Sequence, residues 1–174
     1  MQRIAIDMDE VLGDVYGKLL MYFERDLGWR PKWEEYAGRK LYELEGATHL
    51  RDYIHARGFF SDIRVMPDSQ AVVQELMESY EVFIVTATME FRYSMEDKLH
   101  WLSIHFPFIP WKNIVMCGTK SIVKADYMID DHIWNLDGFD GKGLLYTASH
   151  NIHNTTYSRV DNWLAVRDFF NNVK

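Results

Sequence analysis

A short apolar run, Ile4-Ala5-Ile6, passes directly into Asp7-Met8-Asp9 near the start of the chain. Such a run reads as a buried strand. Side chains two apart in an extended chain project to the same side, so both carboxylates converge just beyond the strand. Adjacent carboxylates repel unless a proton or a cation separates them. A hard divalent ion such as magnesium takes oxygen ligands and resolves that conflict. Taken alone, Asp-x-Asp is equally a solvated turn or a helix N-cap, so the rest of the chain has to decide.

The same pattern returns further on. Glu81 to Val85 is a second strand with Thr86 at its end, and Asn113 to Met116 a third. Lys120 follows in a loop, with Lys124 as a rival four residues later. Tyr127-Met128-Ile129 is a fourth strand, running again into carboxylates, Asp130 and Asp131, and Gly143 to Tyr146 is a fifth. Between them lie helical patterns. Val15, Leu19, Leu20, Tyr22, Phe23 and Leu27 precede Gly28 at a C′ position. A helix after Pro67-Asp68 has Ala71, Val72, Leu76 and Met77 as its buried stripe. A helix opened by a Ser94/Asp97 capping box buries Met95, Leu99, Leu102 and Phe106. A closing helix capped by Asp161 buries Trp163, Leu164, Val166, Phe169 and Phe170.

Alternating strands and helices predict an α/β fold, a Rossmann-like parallel sheet with helices on both faces. Residues 1–14 and 69–174 form its core. Residues 29–66 are short in their elements, rich in rings and without a clear strand, and residues 15–68 as a whole form a small helical cap inserted after the first strand. Ligands of such sheets bind at the carboxyl ends of the strands, and Asp7, Asp9, Thr86, Lys120, Asp130 and Asp131 all fall there.

Composition narrows the partners. A formal charge of −7 without a Lys/Arg cluster speaks against a nucleic-acid polymer. One cysteine, Cys117, no signal peptide before the first strand and no apolar run of membrane-spanning length suit a cytoplasmic protein. Cys117 reads as a small buried hydrophobe, and His150-x-x-His153 as surface histidines rather than metal ligands.

Taken together, Asp7-x-Asp9-x-Val11-Leu12, the strand ending in Thr86, Lys120 and Tyr127-Met128-Ile129-Asp130-Asp131 resemble the haloacid dehalogenase-like (HAD) phosphatases. Within them the match is nearest the 5′(3′)-deoxyribonucleotidases, through Asp-Met-Asp-x-Val-Leu, Lys120-Ser-Ile-Val-Lys-Ala-Asp126-Tyr-Met-Ile-Asp130-Asp131 and Gly58-Phe59-Phe60. The resemblance implies a magnesium-dependent phosphatase of small phosphate monoesters, with nucleoside monophosphates as substrates. Asp7 is then the nucleophile that becomes an aspartyl-phosphate, and Asp9 the acid and base. Thr86, the Ala87 backbone N–H and Lys120 bind the phosphoryl group. Magnesium sits on Asp7, the Asp9 carbonyl and the Asp130/Asp131 pair, with Asp131 preferred as the direct ligand.

Three residues depart from the pattern: Glu10 where a glycine is usual, Ala87 where a serine is common, and His132 where an arginine is expected. Most cap rings must pack the cap itself, leaving Tyr42, Phe59 and Phe60 as candidates for stacking a nucleobase. A phosphatase of sugar phosphates, or a receiver-type phosphoacceptor domain, are the alternatives. The receiver lacks an insertion after its first strand and needs a middle-strand Asp that this chain does not have.

Overall fold

The computed structural model describes residues 1–173. In chain order its strands are β1 (Arg3–Ile6), β2 (Gly13–Asp14), β3 (Arg64–Val65), β4 (Glu81–Ala87), β5 (Ile114–Cys117), β6 (Tyr127–Asp130), β7 (Lys142–Tyr146) and β8 (Ser158–Val160). The helices are α1 (Val15–Leu27), α2 (Trp33–Tyr36), α3 (Leu50–Ile54), α4 (Ser69–Met77), α5 (Ser94–His105), α6 (Ile133–Asp137) and α7 (Trp163–Asn172). Six strands make one parallel sheet in the order β5-β4-β1-β6-β7-β8. The strand that leads into Asp7 therefore lies centrally, between those that lead to Thr86 and Asp130.

Alternation along the strands sorts the core into two layers. Ile4, Ile6, Val82 and Ile84 join one large cluster with Phe23 of α1, Val72 of α4, Trp101 of α5 and Val166 of α7. Ala5, Val85, Met128 and Leu145 face the other way, against Leu136 of α6 and Phe139. Helices cover both faces as the sequence predicts, but the second face carries much the lighter layer.

Residues 15–63 leave and return through one neck. β2 and β3 pair antiparallel, Gly13 with Val65 and Asp14 with Arg64, and the Met66 N–H donates to the Leu12 carbonyl, 2.8 Å. Sequence reading finds no strand here, because two-residue strands carry no periodicity. α1 begins where Asp14 caps it, its carboxylate accepting from Gly17 N–H at 2.7 Å. It ends at Gly28, whose φ of 76° only glycine adopts freely.

Three helix faces differ from the expectation. In α4 Val73 is buried and Ala71 exposed. The α5 capping box does not form: Asp97 accepts from Gly58 N–H at 2.8 Å instead. Its buried face is Ser94, Asp97, Lys98, Trp101 and Leu102, while Met95 and Leu99 are exposed. A polar stripe turned inward by its partners outweighs an apolar stripe that meets only solvent. α7 is capped by Asn162, accepting from Ala165 N–H at 2.9 Å. Asp161 accepts from the Thr147 hydroxyl, and Leu164 is exposed. Trp101 and Trp163 are fully buried and donate to the carbonyls of Ile63 and Val11, both at 2.7 Å. No helix among the described residues is long and apolar enough to cross a membrane.

Candidate active site

Asp7 follows the last residue of β1, and its N–H donates to the Ile129 carbonyl at 2.9 Å, so the strand ladder fixes its backbone. The chain then makes one tight turn, with the N–H groups of Leu12 and Gly13 both donating to the Met8 carbonyl. Glu10 stands in that turn at φ 59°, in the left-handed region, the backbone reason a glycine suits the position. Its carboxylate is buried and accepts from Tyr16 N–H at 2.6 Å. Burial pushes the Glu10 carboxyl well above its ordinary range.

Each catalytic candidate has its own buried lysine. Lys120 lies 2.5 Å from Asp7 and 2.6 Å from Asp130. Burial opposes its charge, but the two carboxylates outweigh that and raise its pKa. Asp130 also accepts from His132 N–H at 2.8 Å and from the Asn135 amide at 3.0 and 3.1 Å, so both its oxygens are engaged. Burial pushes Asp130 up to about 6 despite Lys120. Asp131 is pushed well above its usual value by burial and then by the charges of Asp7 and Asp130.

The second lysine, Lys98, is one that sequence reasoning missed. It is fully buried on α5, 2.7 Å from Asp9 and 2.8 Å from the Thr86 hydroxyl, with its ammonium 4.6 Å from the Phe60 ring centroid. An ammonium only donates, so the Thr86 oxygen accepts from it and the Thr86 hydrogen remains free to donate elsewhere. Asp9 stays raised by burial even with Lys98 as the chief opposing influence. The one signal for it is that Lys98 shares an α5 face with Asp97, Trp101 and Leu102.

Carboxylate oxygens of Asp7, Asp130 and Asp131 lie within 4.8 Å of one another. Asp9 Oδ1 and Asp131 Oδ1 are buried without a hydrogen-bond partner among the described residues. Four carboxylates against two lysines leave negative charge in excess, and buried orphan oxygens of this kind fit a hard divalent cation.

His150 corrects the expectation of a surface residue. Its side chain is largely buried, with Nε2 3.3 Å from Asp131 Oδ2 and Nδ1 3.3 Å from the Tyr16 hydroxyl. His153 is exposed as expected. His132 stacks on Trp134 with ring centroids 3.9 Å apart. Burial holds His132 down to about 2 and His150 to about 4. Ala87 offers only its backbone beside Thr86, and Cys117 is buried at the end of β5.

A cleft opens on Asp9, lined among others by Tyr16, Lys40, Tyr42, Phe60, Phe91 and His150. Tyr42 and Phe60 are therefore among the residues that line it. Phe59 is not: it is buried behind the cleft against Tyr22, Phe60 and Lys18. A larger cavity, about 620 Å³, lies at the opposite end of the sheet around Arg3, Lys124 and Asp126. It holds none of these groups, and Arg3 there already pairs with Glu81.

The family model for the "5′ nucleotidase, deoxy (Pyrimidine), cytosolic type C protein" matches residues 1–174. The 5′(3′)-deoxyribonucleotidase of Bacillus subtilis (strain 168) is 41% identical over 170 residues, covering 92% of this chain and 93% of the relative. The protein of the same name from Bacillus phage SPbeta matches at the same identity and coverage. Among solved structures, a haloacid dehalogenase-like protein of Agrobacterium tumefaciens superposes with a TM-score of 0.63 at 12% identity, covering 99% of both chains. The HAD-hydrolase YfnB of Bacillus subtilis, solved bound to magnesium, gives 0.60 at 12%, covering 98% of each. At such identities the two structures show a shared fold.

Proposed function

The chain belongs to the deoxy, cytosolic type C 5′ nucleotidase family, a family of phosphoric monoester hydrolases, and from that premise we propose that it hydrolyses nucleoside monophosphates, deoxyribonucleotides above all, through an aspartyl-phosphate. The observation that carries the substrate is the cleft lined by Tyr16, Tyr42, Phe60 and Phe91 that opens on Asp9. Rings suit a flat, partly apolar nucleobase, and stacking supplies about 1–3 kcal/mol. A sugar phosphate would call for hydrogen-bonding side chains instead.

Asp7 attacks phosphorus as the ester P–O bond breaks, and Asp9 gives its proton to the leaving oxygen. The raised pKa of Asp9 suits a carboxyl that must arrive protonated. Asp9 then takes a proton from the water that attacks the phosphoryl group and frees Asp7. Thr86 donates its spare hydrogen to a phosphoryl oxygen, and Lys120 neutralises charge on Asp7 and on that group. Asp7, Asp131 and the Asp9 carbonyl would hold magnesium, with Asp130 behind them because its oxygens are already engaged. When bound, the ion supplies the positive charge that lets a phosphate dianion approach four acids.

Residues 15–68 act as a cap over this floor, tethered by the β2–β3 neck, and exclude water from the phosphorylated aspartate. The test is a comparison of kcat/KM, with magnesium, for thymidine or deoxyuridine monophosphate against deoxyribose 5-phosphate. The nucleotide should be clearly preferred. Equal efficiency would mean that no base is read, and a general metabolite phosphatase would replace this reading.

A further inference from the structure

We propose that Asp131, His132 and His150 form a second cation site, selective for a borderline transition-metal dication of the zinc, cobalt or nickel kind. The site stands whether or not the substrate is a nucleotide.

One donor atom from each of the three lies within 4.8 Å of the others. His150 Nε2 and His132 Nε2 approach the same carboxylate oxygen, Asp131 Oδ2, at 3.3 and 4.0 Å, with ring centroids 4.4 Å apart. Ligands about 2.0–2.2 Å from one ion lie roughly 3–4 Å from each other, so small side-chain shifts bring these three into a single shell. The donor set is mixed nitrogen and oxygen, which favours a borderline ion over magnesium.

His132 is otherwise hard to account for. Its Nδ1 is buried without a hydrogen-bond partner among the described residues, and its Nε2 makes only the 4.0 Å approach to Asp131. The Nε2, the nitrogen that approaches Asp131, is therefore open to a ligand. Asp131 itself is almost wholly buried, and its other oxygen, Oδ1, has no partner either among the described residues. One carboxylate can thus serve two cations, one through each oxygen.

His150 donates through Nε2 towards the Asp131 carbonyl, 3.1 Å away. Giving up that bond leaves the carbonyl satisfied, because the Asn151 amide donates to it at 2.8 Å. The His150 proton moves to Nδ1, where the Tyr16 hydroxyl oxygen accepts it, the outer hydrogen bond usual for a metal-bound imidazole. Access runs through a cleft of about 200 Å³ lined by Lys40, Glu43, Trp134 and both histidines.

The test uses the full chain, stripped of metal and titrated with Co²⁺ in a large excess of Mg²⁺. One Co²⁺ per chain should remain bound, with visible absorption characteristic of imidazole ligation. His132→Ala and His150→Ala should each weaken that retention by about 10–100-fold, while His153→Ala, an exposed histidine outside the cluster, leaves it unchanged. The His132 side chain makes no hydrogen bond among the described residues, so its variant keeps the fold, which circular dichroism verifies. No Co²⁺ held against Mg²⁺, or retention indifferent to both substitutions, would overturn the proposal. Because binding is read without substrate, failure of the phosphatase assay would leave this result standing.

Discussion

Around Asp7 the charged side chains are buried and paired, whereas in residues 15–68 most ion pairs are exposed and it is rings that face the cleft. Lys120 bridges Asp7 and Asp130 at the strand ends, and Lys98 holds Asp9 and Thr86 beside them. Arg30 with Glu24 lies in solvent, as does Arg57 with Glu96 of α5, and such pairs contribute little. Beyond α1 the local structure in residues 15–68 is short, as in α2 with four residues and α3 with five. Strand ladders hold the floor to the tolerance that bond-making needs. The proposed roof holds its rings mainly by packing, the Tyr16 hydroxyl on His150 apart, which suffices for recognising a flat group but not for aligning a reacting atom.

If that division is right, substitutions in the floor should cost far more than those in the roof. Asp7→Asn should lower kcat by on the order of 10³ or more with the fold intact, since an amide cannot form the acyl-phosphate. A variant retaining about a tenth of the turnover would break the assignment. Lys98→Met comes next, about a hundredfold lower at neutral pH, because the acid loses its orientation. The sign of its pH effect is fixed. Lys98 lowers the pKa of Asp9, so its removal raises that pKa and should move the alkaline limb of the pH–rate profile upward. A profile shifted downward, or not at all, would deny Lys98 its hold on Asp9.

The roof should respond more mildly and in binding. Tyr42→Ala should reduce kcat/KM for a deoxynucleotide about tenfold and hardly change it for deoxyribose 5-phosphate, as steady-state kinetics on both would show. Phe60 is a less clean probe because it also lies against the Lys98 ammonium.

The smallest effect concerns stability. Burial raises the Glu10 carboxyl in the folded state, so ionising it opposes folding. That penalty is absent below its ordinary pKa, grows as pH rises towards the folded value, and is complete above it. Glu10→Gln should therefore raise Tm at pH 8 by a few degrees, the equivalent of about 1 kcal/mol for a chain of this size. The gain should vanish in acid below the ordinary glutamate range. A gain that persists there would mean that the buried charge is not its source.

Asp7, Asp9, Thr86, Lys120, Asp130 and Asp131 are legible in the linear chain. Each follows closely on a short apolar strand, and in a parallel sheet every such end lies along one edge. The succession of strands and the insertion after the first are likewise local signals, carried by consecutive residues. Lys98 carries none: its partners lie 89 and 12 residues away in the chain. Only their convergence makes the α5 face bearing Lys98 and Asp97 the buried one, instead of the face bearing Met95 and Leu99. His150 is the same case, drawn inward by Asp131 and Tyr16. The β2–β3 neck is too short to leave a period. The sequence by itself determined which groups stand at the strand ends, because a strand's direction carries its last residue there. The tertiary structure alone decided which helix faces and loop histidines meet them, since a polar side chain is buried only where distant partners remove the cost of desolvating it.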